Sequence, residues 1–185
     1  MKTAAIILAG GASRRMGSPK ALLSFHGSTF VESLIRGFSC CDQTIVVLGH
    51  DSERIRAGIR ADATFVVNPH PERGQLTSLQ CGLQAVPDAD AVFFTPVDYP
   101  AISESTVLRL MRHAGSFAMP RYEQRRGHPV LIPRHMIGEL LACTTTARDV
   151  VRAHEPVYVD VDDPGILEDI DDPAAYARLQ QMAAR

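Results

Sequence analysis

The sequence predicts an α/β fold of three layers, with a mostly parallel central sheet between helices. Three observations predict it. Short apolar runs of strand length alternate with longer stretches of helical spacing. The runs lack the period-2 alternation of a half-exposed strand, so both of their faces are expected to be covered. The order strand, helix, strand, helix calls for right-handed crossovers between parallel neighbours. The 185 residues fit one domain spanning 1–185, which buries about 70% of its unfolded surface and needs no cross-links to fold.

The elements follow in chain order. Thr3–Ala9 is the first strand, and Thr44–Leu48, Thr64–Val67 and Ala91–Thr95 repeat its apolar, β-branched and aromatic character. Val31, Leu34, Ile35 and Phe38 keep helical spacing, with Ser28 or Thr29 as cap and Glu32 in the first turn. Leu76, Leu79, Leu83 and Val86 form a second stripe, in a stretch where Thr77 or Ser78 has the chemistry of a cap. Ile102, Val107, Leu110 and Met111 form a third, opened by Ser103 and Ser105. In the second half "GHPVLI" and "PVYVDV" read as strands, and Arg134–Leu141, Thr146–Ala153 and Pro173–Ala184 as helices.

Composition excludes several classes. Apolar residues make up 45% and charged residues 22%, with a net charge of -2, so a general nucleic-acid binder is disfavoured. No stretch approaches 18 apolar residues, so no membrane span is expected. The apolar core of the N-terminus, Ala4 to Ala9, is too short for a signal peptide, and its arginines follow rather than precede it. Cys40, Cys41, Cys81 and Cys143 have no zinc-ligand spacing and read as buried thiols. A cytoplasmic location is expected.

The chemistry begins at "IILAGGASRRMGSPKALL", residues 6 to 23. In open α/β sheets ligands bind at the carboxyl ends of the strands, so the loop after the first strand is a natural site. Gly10 and Gly11 permit close backbone approach and positive φ. Arg14, Arg15 and Lys20 offer charge to an anion such as a phosphate. Lys2 and Lys20 are the only lysines among 19 basic residues, so a lysine here suggests a need for a compact charge. The spacing matches neither Gly-x-x-x-x-Gly-Lys nor G-x-G-x-x-G. Asp98 follows the fourth strand in "FFTPVDYPAIS". His128 precedes a proline in "RRGHPVLIP", so its backbone is extended, and an unshifted histidine there titrates near neutrality. From Asp160 to Asp172 seven of thirteen residues are carboxylates, with no base among them.

Five ordered blocks resemble the nucleotidyltransferase family of the molybdenum cofactor cytidylyltransferase and guanylyltransferase type, nearest its cytidylyl branch. "LAGGASRRMGSPKALL" resembles the family loop LAxGxSxRMGxxKxLL, which wraps a triphosphate. The resemblance implies a Rossmann-like, GT-A-like fold. It implies phosphate binding by Arg15 and Lys20, and a base bordered by Leu8, Ala9, Gly10 and Gly11. "NPHPERGQLTSLQCGL" resembles the element that closes over base and ribose, which assigns Asn68, Gly74 and Ser78 to the nucleotide. The family's D-x-P places a Mg²⁺ ligand at Asp98. "EDIDDPAAYARL" resembles D-I-D-T-P-E-D-Y, which returns Asp171 or Asp169 to the metal, although Asp172 replaces Thr and Ala174-Ala175 replaces Glu-Asp. "RRGHPVLIP" resembles G-x-R-G-H-P-V-L and puts Arg126 and His128 on the acceptor side, with Gln124 in place of the preceding glycine.

The implied reaction uses Mg²⁺ to transfer CMP from CTP to the phosphate of molybdenum cofactor, a molybdopterin, with release of pyrophosphate. Arg15, Lys20 and Asp98 would carry the catalysis, and a molybdoenzyme or chaperone would be the protein partner. Three alternatives stand beside it. The donor is GTP, as the Leu-Ala-Gly-Gly start of the loop suggests. The acceptor is another phosphorylated compound, such as a sugar or polyol phosphate. Or the chain is a non-catalytic nucleotide-binding regulator.

Overall fold

The computed structural model describes residues 1–183. In chain order its elements are β1 (Thr3–Ala9), β2 (Ser24–Phe25), β3 (Ser28–Thr29), α1 (Phe30–Gly37), β4 (Gln43–Leu48), α2 (Ser52–Gly58) and β5 (Thr64–Val67). Then come α3 (Gln75–Gln84), β6 (Ala91–Pro96), α4 (Glu104–Met111), β7 (Ala118–Tyr122), β8 (Arg125–Arg126) and β9 (Val130–Pro133). The chain ends with α5 (Arg134–Ala142), α6 (Ala147–Arg152), β10 (Val157–Asp160) and α7 (Pro173–Ala183). Ala184, the expected last residue of α7, lies outside the described residues.

The sheet runs β10-β7-β9-β6-β1-β4-β5, with β8 paired to β7. β1 lies at its heart, parallel to both β4 and β6. All seven β1 residues are buried, which is why that strand reads as a continuous apolar run. Side chains alternate across a strand, so Ala5, Ile7 and Ala9 enter one core while Ala4, Ile6 and Leu8 enter the other. Helix α3 covers the second core at close range. A Cβ on Gly82 would lie 2.6 Å from Ile6 and 3.1 Å from Val47, so only glycine lets α3 sit this near the sheet. Helix α1 begins as expected: Thr29 and Glu32 form a reciprocal capping box.

Parallel pairing stops at β6. β9 runs antiparallel to β6, from Ala91↔Pro133 to Phe94↔Val130, and touches β7 at Ala118↔Leu131. β10 then lies parallel to β7. The fold is therefore mixed but mostly parallel, with helices on both faces. The expected strands at 127–132 and 156–161 shorten to β9 and β10. Thr77 and Ser78 lie inside α3, whose N-cap is Gly74. Ser103 caps α4, and Ile102 packs before it rather than within it. The four thiols are half-buried and unpaired, not fully buried as expected. No helix is long and apolar enough to cross a membrane among the described residues.

A buried carboxylate ties the acidic segment after β10 to the start of α4. Asp163 accepts hydrogen bonds from Ser103 N (3.0 Å), Ser103 Oγ (2.8 Å), Thr106 Oγ1 (2.6 Å) and Gly165 N (3.0 Å). Such a buried acceptor leaves several donors orphaned when it is removed. Asp163→Ala is expected to destabilise the fold by about 2–4 kcal/mol, read as a lower urea midpoint at unchanged m-value. A midpoint within error of wild type would show that this knot holds nothing.

Candidate functional site

The loop from 10 to 20 leaves the carboxyl end of β1. Its sharp reversals fall at Ser13 (φ 47°) and Gly17 (φ 67°), so the expected positive φ at Gly10 and Gly11 is not the reason for those glycines. Gly10 is small for lack of room: a Cβ there would sit 3.1 Å from Ser78 Oγ. Its neighbour Gly49 is tighter still, since a Cβ would meet the Gly10 carbonyl at 2.7 Å. Ser13 Oγ accepts from Lys20 N at 3.0 Å and closes the loop on a single 3-10 turn, Lys20–Leu22.

That turn delivers Lys20 into a cluster of carboxylates. Its Nζ lies 3.1 Å from Asp98 Oδ2 and 2.6 Å from Asp171 Oδ1, with only 12% of the side chain exposed. Arg15 donates to the other oxygen of Asp171 at 3.0 Å. Asp98 stands just past β6, beside the end of β1, where Val97 N donates to Leu8 O at 3.0 Å. The acidic segment is fastened by Ile170 N donating to Asp98 O at 2.9 Å. Ile170 is fully buried, and Asp169 and Asp171 on either side of it each bring a carboxylate oxygen near Asp98.

The electrostatics follow from this crowding. Burial pulls the Lys20 ammonium down, but the hydrogen bonds and charges of Asp171 and Asp98 outweigh it and hold its pKa above the ordinary lysine value. The Lys20 hydrogen bond holds Asp171 below the usual carboxylate range, aided by Arg15. Asp169 is shifted upward by partial desolvation and then by the charges of Asp98 and Asp171. The residue as a whole is exposed, yet its carboxyl end faces the cluster. One oxygen from each of Asp98, Asp169 and Asp171 lies within 4.8 Å of the others. Asp98 Oδ1 is buried with no hydrogen-bond partner. Three carboxylates, one of them with an orphaned oxygen, fit a divalent ion that keeps part of its own water.

A cavity of about 480 Å³ opens on this cluster. Leu8, Ala9, Gly10, Gly11, Arg14, Arg15 and Lys20 line it from the loop, Gly74, Gln75 and Ser78 from the start of α3, and Asp98 and Asp171 from the cluster. Asn68 does not line it. Asn68 is buried beneath, donating to Thr77 Oγ1 (2.9 Å) and Ser78 Oγ (3.0 Å) while accepting from His70 N (2.9 Å). It fixes the start of α3 and so positions Ser78.

A second cavity of about 680 Å³ lies alongside and shares Gln75 as a wall. Arg126, His128, Tyr99, Phe94 and Met119 line it, with Arg148 and Arg152 from α6. Arg126 is exposed on β8, after a turn in which Glu123 (φ 46°) and Gln124 (φ 64°) are both left-handed. The site of the resembled glycine is thus a position that favours one. His128 packs its ring 4.5 Å from Tyr99. Burial lowers its pKa to about 4, against a smaller opposing pull from the Phe94 backbone, and its Nδ1 is buried without a partner. The expected titration near neutrality is therefore wrong: His128 is uncharged at pH 7 and offers a neutral ring. Tyr99, which sequence reasoning passed over, is pushed up to about 12 by burial and then by Asp169, Asp98 and Asp171. Its place between Asp98 and Pro100 carried no signal of its own.

Comparison with known proteins adds to this geometry. The profile of the MobA-like NTP transferase domain matches residues 5–157. The probable molybdenum cofactor guanylyltransferase of Bacillus cereus is 33% identical over 105 residues, 56% of this chain and 52% of that protein. The chain thus spans about half the length of the curated relatives it matches. The crystal structure of Rv0371c from Mycobacterium tuberculosis H37Rv superposes with a TM-score of 0.84 at 28% identity, over 97% of each chain. The complex of Rv0371C with manganese, from the same organism, gives a TM-score of 0.80 at 25% identity, over 98% of this chain and 99% of that one.

His128 yields a pH prediction. The unfolded chain takes up this proton near pH 6.5 and the folded chain only near pH 4, so the uncharged ring stabilises the fold fully above that window. Relative to His128→Gln, the wild-type protein is expected to lose about 3 kcal/mol of stability as pH falls from about 6.5 to about 4. Parallel stability curves for the two chains would return His128 to an ordinary, solvated histidine.

Proposed function

The chain belongs to the MobA-like NTP transferase domain family, and from that membership we propose that it is a metal-dependent nucleotidyltransferase acting on the phosphate of molybdenum cofactor. The observation that carries this reading is the meeting of Lys20, Asp98 and Asp171 on one wall of the glycine-loop cavity. A half-buried cation and a carboxylate cluster suited to a metal on one cavity wall fit a triphosphate. The manganese complex of the mycobacterial neighbour supports a divalent ion as the cofactor, with Mg²⁺ as the natural choice for phosphates.

On this reading the donor base and ribose lie against Leu8 to Gly11, Gly74 and Ser78. Arg15 and Lys20 draw charge from the phosphates. Asp98, Asp171 and Asp169 hold the metal, which when bound acts as a Lewis acid on the phosphate oxygens. The acceptor phosphate enters from the second cavity, where Arg126 meets its charge and neutral His128 shapes the wall. An acceptor oxygen attacks the α-phosphorus in line, and the bond to the bridging oxygen breaks as pyrophosphate leaves with the electron pair. The attacking oxygen is already anionic, so no general base is needed, in keeping with the low pKa of His128. Positioning and charge neutralisation carry the rate.

We read CTP as the preferred donor, because "GQLTSLQCGL" and "RRGHPVLI" resemble the cytidylyl branch. GTP is the second reading, favoured by Gly10 and by the names of the Bacillus relatives. One methyl beside a base discriminates by about 1–3 kcal/mol, too little for Gly10 alone to outweigh two longer elements.

Asp98→Asn and Lys20→Ala are each expected to keep a native circular dichroism spectrum while pyrophosphate release falls by about a hundredfold or more. Wild-type turnover in either folded variant would remove these residues from catalysis. In steady-state assays with molybdenum cofactor, kcat/KM for CTP is expected to exceed that for GTP, and Gly10→Ala to widen the gap by cutting the GTP rate. A wild-type preference for GTP would give the choice of base to the loop.

A further inference from the structure

The ammonium of Lys20 lies against two of the three carboxylates that could hold a metal ion. It lies 3.1 Å from one oxygen of Asp98 and 2.6 Å from one oxygen of Asp171. Both residues belong to the three-carboxylate set that could hold an ion. A small dication takes its oxygens at about 2.1 Å, so an ion that shares either of these two atoms with the ammonium brings like charges within about 4 Å. The lysine neutralises only part of the cluster, since Asp98 Oδ1 beside it remains unpartnered. Nor is Lys20 free to drift: its backbone is fastened to Ser13, and its side chain is 12% exposed. Arg15 is different. It approaches Asp171 from the outer oxygen, with 69% of its side chain exposed, and blocks nothing.

We propose that Lys20 is a positioning cation that bars the carboxylate site to a bare metal ion and opens it when a triphosphate draws the ammonium away. This inference rests on the nucleotidyltransferase reading above. Phosphate oxygens in the glycine-loop cavity are the competing partner for Lys20, because the same cavity is lined by Lys20, Asp98 and Asp171. The metal then enters with the nucleotide rather than ahead of it. By linkage, whatever affinity the nucleotide adds to the metal, the metal adds to the nucleotide.

The test is the affinity of Mn²⁺, followed by the electron paramagnetic resonance signal of the free ion, with the full-length protein and no acceptor present. Wild type is expected to bind Mn²⁺ weakly alone and about tenfold or more tightly with saturating CTP or GTP. Lys20→Met is expected to bind Mn²⁺ alone about tenfold more tightly than wild type, and Lys20→Arg to remain weak. Lys20→Gln serves as the neutral replacement if Lys20→Met does not fold. Arg15→Met removes one nearby charge without unblocking the two shared oxygens, and is expected to change Mn²⁺ affinity by less than about threefold. The proposal is overturned if the neutral Lys20 variant binds Mn²⁺ no better than wild type, or if Arg15→Met gains as much. If wild type binds both Mn²⁺ and nucleotide while Lys20 changes nothing, only the barring role is lost. If wild type binds neither, the nucleotidyltransferase reading fails and takes this role with it.

Discussion

The ion triad of Lys20, Asp98 and Asp171 is the interaction on which the site depends. It joins three distant points of the chain: the loop after β1, the turn after β6 and the segment before α7. Each partner is delivered by a different device. Lys20 rides a single 3-10 turn, Asp98 follows a buried parallel strand, and Asp171 is aimed by the burial of Ile170 next to it. Half-buried opposite charges at these distances hold one another firmly, whereas a lone carboxylate in the same place would be costly. The acidic run after β10, which resembles a solvated face in isolation, is thereby folded back onto the sheet.

Much of this was legible in the sequence, for identifiable reasons. The strands β1, β4, β5 and β6 are apolar runs of strand length, and the helices α1, α3 and α4 have clear stripes, so their existence followed from run length and helical period. What escaped is also instructive. Strand β7 carries Pro120, and proline within a run argues against a strand inside a sheet; here the strand makes a single antiparallel contact with β9, and Pro120 N has no ladder bond to lose. Helix α2 buries Ile55 alone, so it has no stripe to read. The hairpin of β2 and β3 turns on His26-Gly27, both with positive φ, a signal that was present but brief.

The site shows a similar division. The blocks around Lys20, Asp98 and Asp171 stand out by their resemblance to the family's elements, and the fold brings all three together. Asn68 and His128 also stand out, but burial changes what each can do: one becomes a bracket under α3, the other an uncharged wall. Burial depends on what packs on a residue from elsewhere in the chain, which local sequence does not record. Tyr99 and Gln75 take their importance wholly from position, one against His128 and the other between the two cavities.

The change of strand direction at β6 has a consequence of its own. On one side of it, the parallel strands and their loops build the glycine-loop cavity; on the other, β7 to β10 and α6 build much of the second. The segment after β10 belongs to both halves, because Ile170 packs in the same core as Ile7 and Asp171 lines the glycine-loop cavity. The side chains of β8 and α6, by contrast, line the second cavity and not the first, so changes there reshape one cavity at a time. On the proposed function, such a chain is suited to divergence by exchange of one partner at a time, keeping an old reagent while it explores new molecules to modify.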